Sequence, residues 1–264
     1  MEFNYIDIHS HLNFPDFDKD REDVIDKMKS EGIGTICVGA DLKTSRECVE
    51  LADKYENIWA TIGVHPNDSE EDFREEDYLE LVKNKRVVGV GECGLDYFRT
   101  KGEPIIEKKR QRDLFEKQIQ FAIKNNLPLM IHARDSYDDI LDILISYKKE
   151  FGDKVCGNIH FFAGSKDTAK KFIEIGFTIS FSGVITFTND YDEAVKYVPI
   201  DKIMPDSDSP FVAPAPFRGK RNEPFYIKEI VKRIAEIKEL DLETVKEQMV
   251  KNAIKLFKLP ITNL

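Results

Sequence analysis

The chain is short of several things, and each absence narrows what it can be. Its four cysteines, at 37, 48, 93 and 156, include no CxxC pair. That argues against a disulfide framework and against a site built on paired thiolates. They read as free thiols without a catalytic role, and the strand-like runs around Cys37, Cys93 and Cys156 predict burial. No apolar run is long enough to span a membrane, and no charged-then-apolar leader stands at the N-terminus. The expectation is a cytoplasmic protein. Basic charge is also lacking: 39 Lys and Arg face 49 Asp and Glu, giving a formal net charge of −10. A chain this acidic repels polyanions on average, which excludes broad, non-specific coating of nucleic acid. It leaves room for a local basic patch, or bound divalent cations, to hold a single phosphate. Histidine is scarce, at five residues, so where the histidines fall is informative.

What remains is an ordinary globular balance, 41% hydrophobic and 33% charged, with material for a sizeable core. No low-complexity linker or composition break divides the chain, and we read residues 1–264 as a single domain. Short β-branched or apolar runs predict strands at 5–9, 34–39, 58–63, 87–92, 128–132, 155–160, 177–182 and 201–206. Amphipathic stretches predict helices at 19–30, 43–55, 74–84, 107–126, 136–149, 166–175, 190–197, 224–238 and 241–257. In the fourth, Leu114, Phe115, Ile119, Ala122 and Ile123 fall near one face, as a helix packed on a sheet requires. Eight strands alternating with helices predict a parallel sheet. At this length that means a closed (β/α)8 TIM barrel, with a doubly wound open sheet as the rival. Pro205 interrupts the last predicted strand.

The stretch DIHSHLN at 7–13 places His9 and His11 two residues apart, on one side of a strand. His65, His132 and His160 also stand at or just past predicted strand ends, as does Glu92 in VVGVGE; Asp206 and Asp208 follow the last strand. In a (β/α)8 barrel those ends share one face, where active sites are built. Scattered surface histidines have no reason to prefer it. Taken alone, His132 after PLMI reads as a core histidine and His65 as part of a Gly/Pro turn; the constellation makes the first a ligand and the second a substrate contact. Imidazoles with carboxylates suit Zn, Mn, Fe, Co or Mg. There are more ligands than one catalytic ion with open positions needs. Two divalent ions sharing Glu92 is the economical reading, and such a pair can activate a water and stabilise the attacking and leaving oxygens. Arg134, and Arg218, Lys220, Arg221 and Asn222 in RGKRNEP, offer groups for a phosphate. Of these Arg134 and Asn222 are the expected substrate contacts.

Seven stretches in order, DIHSHL, IGVHP, GECGLDY, PLMIHAR, IHFFAGS, DSDSPF and GKRNEP, make the chain resemble the TatD family of metal-dependent deoxyribonucleases, in the amidohydrolase superfamily. The resemblance implies a (β/α)8 barrel. It implies His9, His11, Glu92 and Asp208 as ligands of one ion, and Glu92, His132 and His160 as ligands of the other. It implies Asp208 as the acid that orients and deprotonates the attacking water, and His65, Arg134 and Asn222 as substrate-facing groups. The expected cofactors are two ions of Mg, Mn or Zn, the expected partner is DNA, single-stranded or at its ends, and the expected reaction is 3′→5′ phosphodiester hydrolysis by a monomer. The alternative on the same site is a D-aminoacyl-tRNA deacylase or another amide or ester hydrolase. The chain departs from the family pattern at Asn67, where a second histidine is frequent, at Phe161 (Cys), at Asp206 (Glu) and at Ser207 (Thr). None of these removes an expected ligand, but Asn67 and Phe161 bear on the substrate pocket.

Overall fold

A computed structural model describes residues 3–68, 72–98 and 102–261. Its strands are β1 (Tyr5–Ser10), β2 (Ile33–Val38), β3 (Ile58–Ile62), β4 (Val87–Asp96), β5 (Leu129–Arg134), β6 (Gly157–Ile159), β7 (Thr178–Phe181) and β8 (Ile203–Pro205). They form one parallel sheet in the order β1 to β8. The sheet closes on itself beyond β8. The Asp208 N–H donates to His9 O at 2.9 Å and the His11 N–H to Ser209 O at 2.8 Å. The helices are α1 (Arg21–Ser30), α2 (Leu42–Lys54), α3 (Glu75–Tyr78), α4 (Pro104–Asn125), α5 (Tyr137–Phe151), α6 (Lys166–Glu174), α7 (Asp192–Tyr197), α8 (Ile227–Lys238) and α9 (Leu242–Phe257). The eight-stranded (β/α)8 barrel is the architecture expected from the sequence, and the open-sheet alternative falls.

Strand alternation sorts the core into two parts. Ile33 and Cys37 of β2, and Leu129 and Ile131 of β5, join the large cluster shared with the helices. Their neighbours Ile36, Val38 and Met130 join a smaller one with Ile6, Ile8, Trp59, Val88 and Met204, which Val250, Ala253 and Phe257 of α9 complete. The second set fills the barrel interior, which is therefore packed and not a pore. All four cysteines are free. Cys37, Cys48 and Cys93 are buried, while Cys156, expected inside, is half-buried just ahead of β6. No helix among the described residues is long and apolar enough to cross a membrane.

Most element ends shift by one to three residues from expectation, and three of the differences have a clear physical reason. The helix predicted over 74–84 breaks into α3 and a 3-10 turn, Leu81–Lys83. Only Tyr78 of these two pieces is buried, so no apolar stripe sustains a longer helix. Pro205 has no N–H to donate, and β8 ends on it after three residues. The strand predicted to stop at Glu92 runs on to Asp96, buried throughout. This extension depends on two glycines. A Cβ on Gly91 would lie 2.5 Å from Met130 O, and one on Gly94 only 2.1 Å from His132 O, and both backbones are at positive φ. With any other residue β4 could not approach β5 so closely.

Candidate metal centre

Two β-bulges aim the site. Between Val90↔Leu129 and Cys93↔Ile131, β4 carries two residues, Gly91 and Glu92, against one on β5. Between Asp7↔Thr35 and Ser10↔Cys37, β1 likewise carries Ile8 and His9 against Ile36. A bulge re-aims the side chain at the extra residue, and here the re-aimed residues are Glu92 and His9. The Glu92 N–H, freed from its own ladder, donates to Gly39 O at 2.7 Å.

A cavity of about 1020 Å³ opens at the C-terminal strand ends. His11, His65, Glu92, His132, Arg134, His160 and Asp208 line it, and His9 lies fully buried beside them. The Nε2 atoms of His9 and His11 are 3.3 Å apart. Glu92 Oε2 lies 3.6 Å from each and Asp208 Oδ1 3.7 Å from each. The other Glu92 oxygen, Oε1, faces a second set: His160 Nε2 at 2.8 Å and His132 Nδ1 at 3.0 Å, themselves 3.4 Å apart. Glu92 thus turns one oxygen to each of two donor sets.

The donor chemistry fits divalent ions. Two nitrogens about 2.05 Å from a tetrahedral ion stand about 3.3 Å apart, the separation found for His9 and His11. Hydrogen bonds behind the rings also prepare them. His11 Nδ1 faces Val38 O at 3.1 Å, so Nδ1 carries the proton and Nε2 is bare. His132 Nε2 faces Asp96 Oδ2 at 3.2 Å, so Asp96 holds the Nε2 proton and Nδ1 is the nitrogen turned to Glu92, free to bind an ion once its own proton leaves. His65 is set the opposite way. The Asn67 backbone N–H donates to His65 Nδ1 at 3.1 Å, so a neutral His65 carries its proton on Nε2, toward the cavity. That nitrogen lies 3.5 Å from Glu92 Oε1, and His65 forms with Glu92 and His132 a further group that could hold an ion.

Electrostatics point the same way. Burial works against a charged Glu92, yet His65, His160 and His9, with a hydrogen bond from His132, hold it well below the usual carboxylate range. Burial holds His9 and His11 low as well, and takes His65 down to about 4, so these rings are neutral lone-pair or N–H carriers near neutral pH. His132 is the exception. Burial opposes its charge, but the Asp96 and Glu92 carboxylates raise it to about 9. Asp208 is pushed well above its ordinary value by burial, then by the charges of Glu92 and Asp206. A pocket in which carboxylates repel one another in this way is complementary to added positive charge.

The last-strand acid is resolved by the loop. Asp208 sits at φ +48 in the cavity wall. Asp206 is buried beneath, accepting from the Phe161 N–H at 2.9 Å and from the Ser180 hydroxyl. Asn222 does not reach the cavity as expected. Its Nδ2 donates to Ser207 O and Phe211 O, each at 2.7 Å, and its side chain is fully buried. It shapes the Asp208 loop and does not touch substrate from there. The basic loop is likewise engaged elsewhere: Arg221 pairs with both oxygens of Asp20 at 2.7 Å, and Arg218 lies over the Phe187 ring. Arg134 does line the cavity, its guanidinium 3.9 Å from the Phe98 ring centre. The residue that sequence reasoning passed over is Asp96. A second acid four positions beyond Glu92 in an apolar run was the available signal. Asp96→Asn, which exchanges a charged acceptor for a neutral one, should weaken metal binding about 10–100-fold. Metal titration of the purified variant checks this, and unchanged affinity would remove Asp96 from the site.

The family model described as TatD related DNase matches residues 6–258. The chain belongs to the TatD-related DNase family. Among relatives of this TatD-related protein, the uncharacterized metal-dependent hydrolase YabD of Bacillus subtilis is 40% identical, over 96% of this chain and 98% of its own length. A counterpart in Methanocaldococcus jannaschii, also named an uncharacterized metal-dependent hydrolase, is 32% identical over 97% and 98%. The crystal structure of YjjV, a TatD homologue of Escherichia coli, superposes with a TM-score of 0.89 at 24% identity, covering 98% of this chain and all of that one. An uncharacterized amidohydrolase of Saccharomyces cerevisiae gives 0.80 at 20%, covering 96% and 99%. The two structures bear on the fold, and the family and relatives make this TatD-related chain a metal-dependent hydrolase.

Proposed function

We propose that this hydrolase cleaves phosphodiester bonds at DNA ends, removing nucleotides in the 3′→5′ direction. The observation that carries the reading is the division of Glu92, with one oxygen turned to His9 and His11, which Asp208 also faces, and the other to His132 and His160. Two divalent ions of Mg, Mn or Zn bound there would lower the pKa of a water and shield phosphoryl charge.

The chain's own groups complete the chemistry. The positive charge of bound ions would offset the burial and carboxylate repulsion that keep Asp208 protonated without them, and at 16% side-chain exposure the ionised group is open enough to the cavity to accept the proton of the attacking water. His65, neutral and protonated on Nε2, donates to a phosphoryl oxygen. The planar fork of Arg134 matches two non-bridging oxygens and stabilises charge that grows in the transition state. These donors sit in a cavity and not on an open surface, which agrees with an acidic chain that captures one phosphate locally without coating the polymer.

The test is a gel assay of end-labelled single-stranded DNA with Mg, Mn, Zn or chelator. Stepwise shortening from the 3′ end that stops with chelator is the expected result. Intact DNA in every metal, with release of the amino acid from D-aminoacyl-tRNA in parallel, would replace this reading by attack on a carbonyl carbon at the same site.

A further inference from the structure

Beside Asp208 the chain holds a phenylalanine in water. Phe211 is 48% exposed and lines the cavity. A lone exposed apolar residue is normal, but this one is held in place by several distinct devices. Its N–H donates to Asp208 O at 2.9 Å, closing a turn between the two residues. Its own carbonyl accepts from the fully buried Asn222 amide at 2.7 Å, and the Asn222 N–H donates to Pro210 O at 3.0 Å. The next residue, Val212, is at φ +43, a region that a β-branched side chain enters only at a cost.

The ring is also backed. Phe14 stands edge-on to Phe211, with ring centres 6.3 Å apart, and stacks on His11 at 4.5 Å and 19°. The wall that carries Asp208 and His11 therefore continues outward as an aromatic face. Phe211, Asp208 and Arg134 line one cavity, so a phosphate held by Arg134 and the metal centre would have the base of an adjoining nucleoside within the same cavity as the Phe211 ring.

We propose that Phe211, backed by Phe14, is a stacking platform for an unstacked nucleobase next to the scissile phosphate. The inference rests on the phosphodiesterase reading and deepens it. Every base offers a π-face, so the platform is tolerant of sequence. A base inside a duplex has both faces covered by its neighbours, so the platform can take only a base that is terminal or unstacked.

A cycle between protein and substrate tests it. Wild type and Phe211→Leu, both loaded with metal, are titrated by fluorescence anisotropy with a labelled single strand whose terminal linkage is a cleavage-resistant phosphorothioate. The bases flanking that linkage are either intact or replaced by abasic residues. Removing the ring should weaken binding of the intact strand roughly 5- to 50-fold. It should leave binding of the strand abasic at the contacted position unchanged, and Phe211→Trp should restore the intact-strand affinity. Equal weakening on intact and abasic strands, or none on either, overturns the platform, as does failure of the strand to bind. If the cycle holds and yet ordinary linkages are cut in no metal, the platform stands as a nucleotide-binding feature and the phosphodiesterase reading is what fails.

Discussion

Glu92→Gln will reduce metal-dependent hydrolysis by about 10³-fold or more, and the purified variant will carry close to no bound metal by elemental analysis. The substitution keeps the size of the side chain and one oxygen, and removes the anion that both donor sets share. Glu92 Oε2 is 3.6 Å from His9 and His11, and Oε1 is 2.8 and 3.0 Å from His160 and His132. An amide can offer a carbonyl to one side only. To the other it presents an NH2, which cannot ligate a cation. The loss is therefore double where that of His160→Ala would be single. Circular dichroism should show an intact barrel, because the strands on either side are held by their own ladders and by the packed interior. A folded variant that keeps two ions and near-normal turnover would remove Glu92 from the centre of the site.

The barrel is legible in the sequence. The strands announced themselves because each is buried on both faces and so reads as a short apolar run. The candidate ligands stand out because a charged or imidazole group closing such a run is costly unless something compensates it. What stayed hidden depends on backbone geometry that residue types do not encode. Asp206 and Asp208 are both acids two residues apart; the turn of the chain at Asp208, φ +48, puts one in the wall and leaves the other holding Phe161 and Ser180. Asn222 looked like a phosphate contact because it follows three basic residues. Arg218 and Arg221 of that run are engaged with Phe187 and Asp20, and the amide is occupied by carbonyls of the Asp208 loop. Asp96 escaped notice because the length of β4 depends on how closely Gly91 and Gly94 allow it to approach β5, which alternation cannot report.

Asp208→Asn gives a second loss, of a different kind. Turnover should fall by about 10²–10⁴-fold, the usual contribution of a positioned acid or base. The set formed by His132, His160 and Glu92 does not include Asp208, so close to one ion per chain should remain by elemental analysis. Burial and the neighbouring charges of Glu92 and Asp206 already disfavour the ionised carboxylate, so a neutral amide should fold at least as readily, and the thermal midpoint without metal should not drop. Residues that act as a unit are not additive. The Glu92→Gln/Asp208→Asn double variant should therefore be about as inactive as Glu92→Gln alone. If the two losses multiplied, Asp208 would be working independently of the centre that Glu92 holds, and the proton would have to leave the attacking water by another route.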